Sequence, residues 1–456
     1  MSDHPSKLHL PRREFLQGAS AAAAGGMLLG ASAKLARGAA HPGGSDEIKV
    51  AVIGCGGRGT GAACEALETK GPVTVVAMAD AFADNLDRCR QQLNDKVAQG
   101  KAENNPLLID SKVDCPPERR FVGFDAYKQA LETDADLVIL ATPPGFRPLH
   151  FAAAVDAGKH IFAEKPLAVD GAGVRAIMDA NQRAKDKNLM VAIGLQRHHD
   201  PRYVETIQRI HDGAIGDVLA TRVYWNSDGV WVRNRKPEYT EMEYQMRNWY
   251  YFNWLCGDHY TEQHIHNLDV GNWIRGGKHP VRCVAMGGRQ VRTGKDTGQI
   301  FDHFAAEFTY DDDSKMFSQA RHIPGCWSEV GEAAHGSRGT ADVSRFRMVG
   351  HEGRWRSKLP GVQAWHQEHH DLFAALRRGD IYNEGDNGAV ATMTAVLGVM
   401  AAYSGKELTW DEVLNSDHVA APGIEGYAFD TTPPVTPNAD GYYPVPMPGK
   451  TDVLKA

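Results

Sequence analysis

The sequence predicts an α/β protein whose first globular domain is a doubly wound parallel sheet. Three observations carry this. Short apolar runs rich in β-branched residues recur at 47–53, 73–79, 137–141, 159–163 and 190–195. Helical patterns lie between several of them, the alternation that builds βαβ units. Four of the runs stop on residues suited to turns or ligands: Gly54, Asp80, Thr142-Pro143 and Glu164-Lys165-Pro166. In open parallel sheets, ligands gather at the carboxyl ends of strands.

The first run leads into Gly54-Cys55-Gly56-Gly57-Arg58-Gly59 and then a helical pattern beginning near Ala62. Strand, GxGxxG and helix in that order is the context a dinucleotide fingerprint requires. Gly54 permits the tight turn, Gly56 lets a pyrophosphate approach the backbone, and Gly59 lets the helix pack on the strand. Gly57 and Arg58 complete the cradle, and the helix N-terminus supplies N–H donors to phosphate. Asp80 ends the second run about 20 residues on, where an acid takes the ribose hydroxyls. Its charge would repel a 2′-phosphate, so NAD is expected, with NADP as the alternative. Residues 94–120 are polar and proline-containing and read as a surface insertion.

The rhythm then resumes. A helix over 148–157 ends at Gly158, a C′ glycine, and the strand 159–163 runs into Glu164-Lys165-Pro166. A Glu-Lys pair stopped by proline at a strand end is well placed for chemistry. Later runs at 218–225, 281–291, 304–310 and 316–322 read as strands, and 365–378 and 389–403 as helices. Residues 421–456 are rich in Pro and Gly and are expected to wrap the surface.

Size and composition agree. The chain has 456 residues, 42% hydrophobic and 23% charged, an ordinary globular composition too long for one usual domain. A net charge of -7 with no long basic run argues against nucleic acid as a partner. None of the seven cysteines forms a CxxC pair, so they read as free or buried thiols.

Residues 1–40 are not part of the fold. A polar start reaches Arg12-Arg13, a weakly apolar Ala/Gly-rich run follows, and small residues end it at 38–40. These are the parts of a secretory signal, and the twin arginine resembles a twin-arginine (Tat) export signal. The run is too short and too weakly apolar for a permanent span. The expectation is export to the periplasm or another extracytoplasmic space. A dinucleotide enzyme there meets no free cofactor pool and must carry its cofactor tightly bound. The domains expected are the signal over 1–40, the nucleotide-binding domain over 46–195, a substrate and oligomerisation domain over 196–405, and an extension over 406–456.

The chain resembles the Gfo/Idh/MocA family, the relatives of glucose-fructose oxidoreductase and inositol dehydrogenase. The resemblance rests on the glycine fingerprint, Ala141-Thr142-Pro143 with His150, the AGKHIFAEKP stretch from Ala157 to Pro166, GLQRHHDP from Gly194 to Pro201, and GAIGDV from Gly213 to Val218. It implies a Rossmann domain followed by an α/β domain with a large, open, mostly antiparallel sheet. It also implies Lys165 at the nicotinamide and a helical His as its acid/base partner. Where the family often has Asp-x-Gly-x-His with a further Asp three residues on, this chain has Glu262-Gln263-His264-Ile265-His266 and Asp269. The family's best-known substrates therefore do not carry over.

A helix beginning near Thr261 would place Glu262 and His266 on one face, giving the His a carboxylate one turn away, as acid/base work needs. Lys165, His266 and Glu262 are thus the catalytic candidates. Thr142, Pro143, His150 and Glu164 join the cofactor site, Glu164 as a holder of Lys165. Arg197 and His199 follow a strand and point toward the same cleft. Residues 231–251 are rich in Trp, Tyr, Arg and Asn, which bind sugars but equally build cores and dimer contacts. Tyr251 and, just beyond, Trp254 join Arg197 and His199 as substrate candidates. His259, Glu262, His264 and His266 are also metal-ligand types, but the expected chemistry needs no metal.

The expected reaction is oxidation or reduction of a sugar or cyclitol hydroxyl, with self-recycled cofactor. Alternatives are an NAD-dependent glycosidase or lyase working through transient ring oxidation, and a non-catalytic sugar-binding relative. A small carbohydrate or cyclitol partner, a homo-oligomer and no membrane span in the mature chain are expected.

Overall fold

The computed structural model describes residues 46–455. The export signal read at 1–40 lies outside the described residues. The first sheet has seven strands: β1 Ile48–Ile53, β2 Val73–Asp80, β3 Lys112–Val113, β4 Arg120–Val122, β5 Leu137–Leu140, β6 His160–Ala163 and β7 Val191–Ile193. All pairings are parallel, in the order β3-β2-β1-β5-β6-β7, with β4 also on β2. β1, β2, β5 and β6 are buried almost throughout, which is why they read as unbroken apolar runs and not as alternation. The chain leaves β1 on one side for β2 and returns on its other side for β5. The carboxyl ends around that switch point are where open α/β sheets bind ligands.

The insertion expected over 94–120 is corrected. The helix Ala83–Ala102 runs through its first third, burying Leu86, Cys89, Leu93, Val97 and Gly100. Those positions recur at three and four residues, one helical face; polar residues on the other faces masked them. Part of the remainder forms the short edge strands β3 and β4.

The second sheet has nine strands: β8 Val218–Ser227, β9 Arg282–Gly288, β10 His303–Thr309, β11 Lys315–His322, β12 Glu329–Gly336, β13 Gly339–Asp342, β14 Arg347–Gly350, β15 Gly353–Arg356 and β16 Leu408–Thr409. Their order is β15-β14-β13-β12-β8-β11-β10-β9-β16. Only β8 and β11 pair parallel; the other pairs are antiparallel. The helices Ile265–Trp273 and Gly385–Ser404 pack on this sheet. Its other face stays open, with Met286 76% and Phe317 43% exposed. The fold is therefore a parallel Rossmann sheet joined to a large, mostly antiparallel one.

Sequence order and spatial order part company near the end. The helix Ala364–Arg378 buries Leu372, Phe373 and Leu376 in one cluster with Ile48 and Val50 of β1, so it completes the first domain. Strand β16, beyond residue 405, closes an edge of the second sheet. Past that edge the chain runs over the surface, and Tyr443 packs with Phe252. Among the described residues no helix is long and apolar enough to cross a membrane.

Candidate active site

The ends of β1, β2, β5 and β6 border a cleft of about 340 Å³. Its floor is the glycine turn. Gly54 has φ +96°, and a Cβ there would lie 2.6 Å from the Ala141 carbonyl carbon. A Cβ on Gly59 would lie 1.8 Å from the Gly54 oxygen. Both positions therefore need glycine for the turn and the helix–strand contact. Gly56 and Gly57 differ. A Cβ on either would meet nothing within 4 Å, and both line the cleft. The open space lies at the start of the helix Gly57–Leu67, whose N-terminus has no side-chain cap. Unspent N–H groups over an open cradle fit a pyrophosphate.

Asp80 lines the cleft and also ties the turn to β2. It accepts from Cys55 N at 2.7 Å, Phe82 N at 2.8 Å and Asn85 Nδ2 at 3.1 Å. Burial raises its pKa against those hydrogen bonds. Across the cleft Thr142 Oγ1 meets His150 Nδ1 at 3.0 Å. Burial, with the nearby Arg147 charge, lowers the His150 pKa to about 3, so the ring is neutral. Pro143 lies beside them.

Arg147 is a site residue that the sequence does not mark. It is 2% exposed, and its guanidinium donates to the carbonyls of Thr142 and Glu164. It thereby binds the ends of β5 and β6 together, and burial lowers its pKa to about 10. An arginine on the first turn of a helix carries no sequence signal for such a role. Met246 and Trp249 also line the cleft; composition does not distinguish them from Tyr251 and Trp254.

At the end of β6 the Lys165–Pro166 peptide is cis. Lys165 Nζ donates to the Glu262 carbonyl at 2.5 Å and to Glu262 Oε1 at 3.0 Å. Both side chains are 13% exposed. Glu262 Oε2 is buried with no hydrogen-bond partner. Burial raises the Glu262 pKa, and the Lys165 charge only partly offsets this. Glu164, read as the holder of Lys165, instead pairs with Arg58, which also reaches Glu65 at 2.6 Å.

The expected pairing of Glu262 with His266 is corrected. Residues Tyr260–His264 form a π-turn and the α-helix starts only at Ile265. Glu262 is engaged by Lys165 and makes no hydrogen bond to His266. π-turns of this kind often mark functional sites. His266 is 8% exposed, stacks on Trp225 with ring centroids 6.1 Å apart, and its Nδ1 has no partner. Burial lowers its pKa well below the ordinary imidazole range, and the Lys165, Arg197 and Arg58 charges add to this. The ring is therefore neutral. It is not among the residues lining the cleft.

None of the four substrate candidates lines the cleft. Arg197 pairs with buried Glu332. His199 meets Asp371 at 2.7 Å and Glu384 at 3.3 Å. Tyr251 donates to the Val230 carbonyl at 3.3 Å, and Trp254 to Gln245 Oε1 at 2.7 Å. Each has a partner inside the fold. Nor do the four metal-type residues converge: His259 is bonded to Asp258 and His264 to Ser318. Among the described residues no three His, Cys, Asp or Glu side chains meet in a group suited to a metal ion.

A Rossmann sheet with an open glycine cradle and a lysine at a strand end defines a dinucleotide-binding α/β protein. The comparisons with known proteins narrow the class. Residues 48–195 match the sequence model of the Gfo/Idh/MocA group, described as an oxidoreductase family with an NAD-binding Rossmann fold. An inositol 2-dehydrogenase of Rhizobium meliloti is 25% identical over 300 residues, 62% of this chain and 83% of that protein. Matches to inositol 2-dehydrogenases of Klebsiella pneumoniae span only half of those proteins. A glycosyl hydrolase family 109 protein of Streptomyces coelicolor is 29% identical over 181 residues, 40% of this chain and 33% of that protein. Among solved structures, scyllo-inositol dehydrogenase from Lactobacillus casei with bound NAD(H) and scyllo-inositol shares the fold. Its TM-score is 0.58 and its identity 20%, over 80% of this chain and 99% of that one. Residues 48–195 are thus similar to the Rossmann domain of this NAD-binding oxidoreductase group.

Proposed function

We propose that the protein is an NAD-dependent oxidoreductase acting on a hydroxyl of a sugar or cyclitol. One observation carries the reading: the Lys165–Glu262 pair stands at the end of β6, in the same cleft as the open cradle of Gly56 and Gly57. The relatives named as inositol 2-dehydrogenases support it.

NAD, when bound, supplies the two-electron acceptor or donor. The chain's residues do the rest. Lys165 presents its ammonium to the substrate oxygen and favours the alkoxide in a water-poor site. Glu262 holds Lys165 through two oxygens and keeps Oε2 free. His266 is neutral, the form that accepts the hydroxyl proton. Asp80 takes the ribose hydroxyls with its remaining lone pairs and disfavours a 2′-phosphate. The cofactor stays tightly bound after export by the twin-arginine route, and the open face of the second sheet joins two copies.

The match to a glycosyl hydrolase family 109 protein favours one second reading, redox-neutral glycoside cleavage through transient ring oxidation. Product analysis of the purified chain on sugars, cyclitols and aryl glycosides decides. A ketone or lactone supports the oxidoreductase. A freed aglycone without net redox change supports the second reading. Denaturing the protein and assaying the supernatant checks tight binding: near-stoichiometric NAD(H) is expected, and only traces would contradict it.

A further inference from the structure

Polar ties surround His266 in sequence but not His266 itself. Asn267 Nδ2 donates to Glu332 Oε1 on β12 at 2.6 Å. Glu332 is 3% exposed; it also accepts from Tyr203 at 3.1 Å and pairs with Arg197. Asp269 meets His198 Nε2 at 2.8 Å and accepts from Asn387 at 3.0 Å. His264 meets Ser318 on β11 at 2.7 Å. These ties occupy much of the Gln196–His199 turn, which the cleft does not use. His266 makes no hydrogen bond through Nδ1. A catalytic imidazole is usually aimed by the bond its second nitrogen makes; here the rotation of the helix Ile265–Trp273 must do that work.

We infer that Glu332 is a positioning residue: with Arg197 and Asn267 it clamps the helix Ile265–Trp273 at the rotation that sets the direction of the His266 ring. The inference rests on the base role given to His266 above. A buried carboxylate with three donors on different elements is a costly way to fill space, because apolar residues of like volume serve stability as well. What it adds is direction. Tyr203 comes from the helix Pro201–His211 and Arg197 from the turn before it, so the carboxylate refers the His266 helix to both. The charges of Lys165 at the end of β6, Arg197 of this clamp and Arg58 of the glycine turn add to burial in lowering the His266 pKa, and the Trp225 ring from β8 stacks on it.

The test uses the full chain loaded with cofactor. Asn267→Leu removes the tie while Glu332 keeps Arg197 and Tyr203; Glu332→Gln keeps the shape and loses the charge. Turnover of myo-inositol, glucose and levoglucosan, NADH affinity, and 15N-histidine NMR of the His266 ring are measured together. A misaimed base costs up to about 10²-fold in rate, so Asn267→Leu is expected to lower kcat about 10- to 100-fold. KM and NADH affinity should stay within about threefold, and the His266 resonances should shift. Glu332→Gln should show the same pattern, more weakly. A folded Asn267→Leu with kcat within twofold and unshifted His266 resonances overturns the clamp. If the wild type turns over none of the probes, the proposed function falls separately and the resonances alone decide: unshifted in both variants, they overturn the clamp. If Asn267→Leu fails to fold, Glu332→Gln is judged on the same readouts.

Discussion

Lys165 and Glu262 meet twice across the two domains, Nζ to the backbone carbonyl at 2.5 Å and to Oε1 at 3.0 Å. The ammonium is therefore fixed by a main-chain atom as well as a side chain. Lys165→Met should lower turnover by about 10²-fold or more, the usual cost of one transition-state charge contact. NADH affinity should change little, because the glycine cradle is untouched. Steady-state kinetics with fluorescence titration of NADH checks both. A variant with near-wild-type kcat would remove Lys165 from the chemistry.

The glycine turn yields a paired prediction. Gly56→Ala points its methyl into open space, so thermal stability should hold while NADH affinity falls at least about tenfold, since phosphate loses close approach to the backbone. Gly59→Ala drives a Cβ to 1.8 Å from the Gly54 oxygen and should lower stability as well. Melting curves with and without NADH separate the two; equal melting temperatures would mean the turn adapts and the contrast is wrong.

Asp80 should set the cofactor preference. NADH is expected to bind more tightly than NADPH, and Asp80→Asn to narrow that gap. Because Asp80 also accepts from Cys55 and Phe82, the variant should bind both cofactors more weakly. Competitive titration measures the ratio, and a wild type that prefers NADPH would reverse the assignment.

His199 makes stability depend on pH. Burial works against its charge, but hydrogen bonds to Asp371 and Glu384 outweigh it and raise the pKa to about 10. A raised folded-state pKa gives stabilisation that is complete below the unfolded value, near 6.5, and is lost as pH rises through 10. The denaturant midpoint of the wild type should therefore fall between pH 7 and 10, and fall less in His199→Gln. Parallel curves for the two proteins would show that His199 is not held charged.

Much of this was legible from residues alone. The strand–glycine–helix order placed the cradle, and strand ends placed Asp80, Thr142, Glu164 and Lys165, because parallel sheets bind ligands there whatever the side chains. The His266 region was not legible in detail. A π-turn covers Tyr260–His264 and Glu262 is taken up by Lys165 from the other sheet, and no local propensity announces either. Arg197, His199, Tyr251 and Trp254 do not border the cofactor cleft, and the partners that hold Arg197 and His199, Glu332 and Asp371, lie far off in sequence. Arg147 escaped for the same reason: its two carbonyls belong to different strands.

The central claim is that the reacting carbon exchanges a hydrogen with NAD in this cleft. The most direct measurement incubates the cofactor-loaded protein with sugars and cyclitols carrying deuterium on carbon, then denatures it and weighs the nicotinamide by mass spectrometry. The account predicts deuterium in the bound NAD(H) with at least one polyol, and none in Lys165→Met. NAD(H) that stays free of deuterium with every polyol offered, from protein shown to be cofactor-loaded, would contradict it.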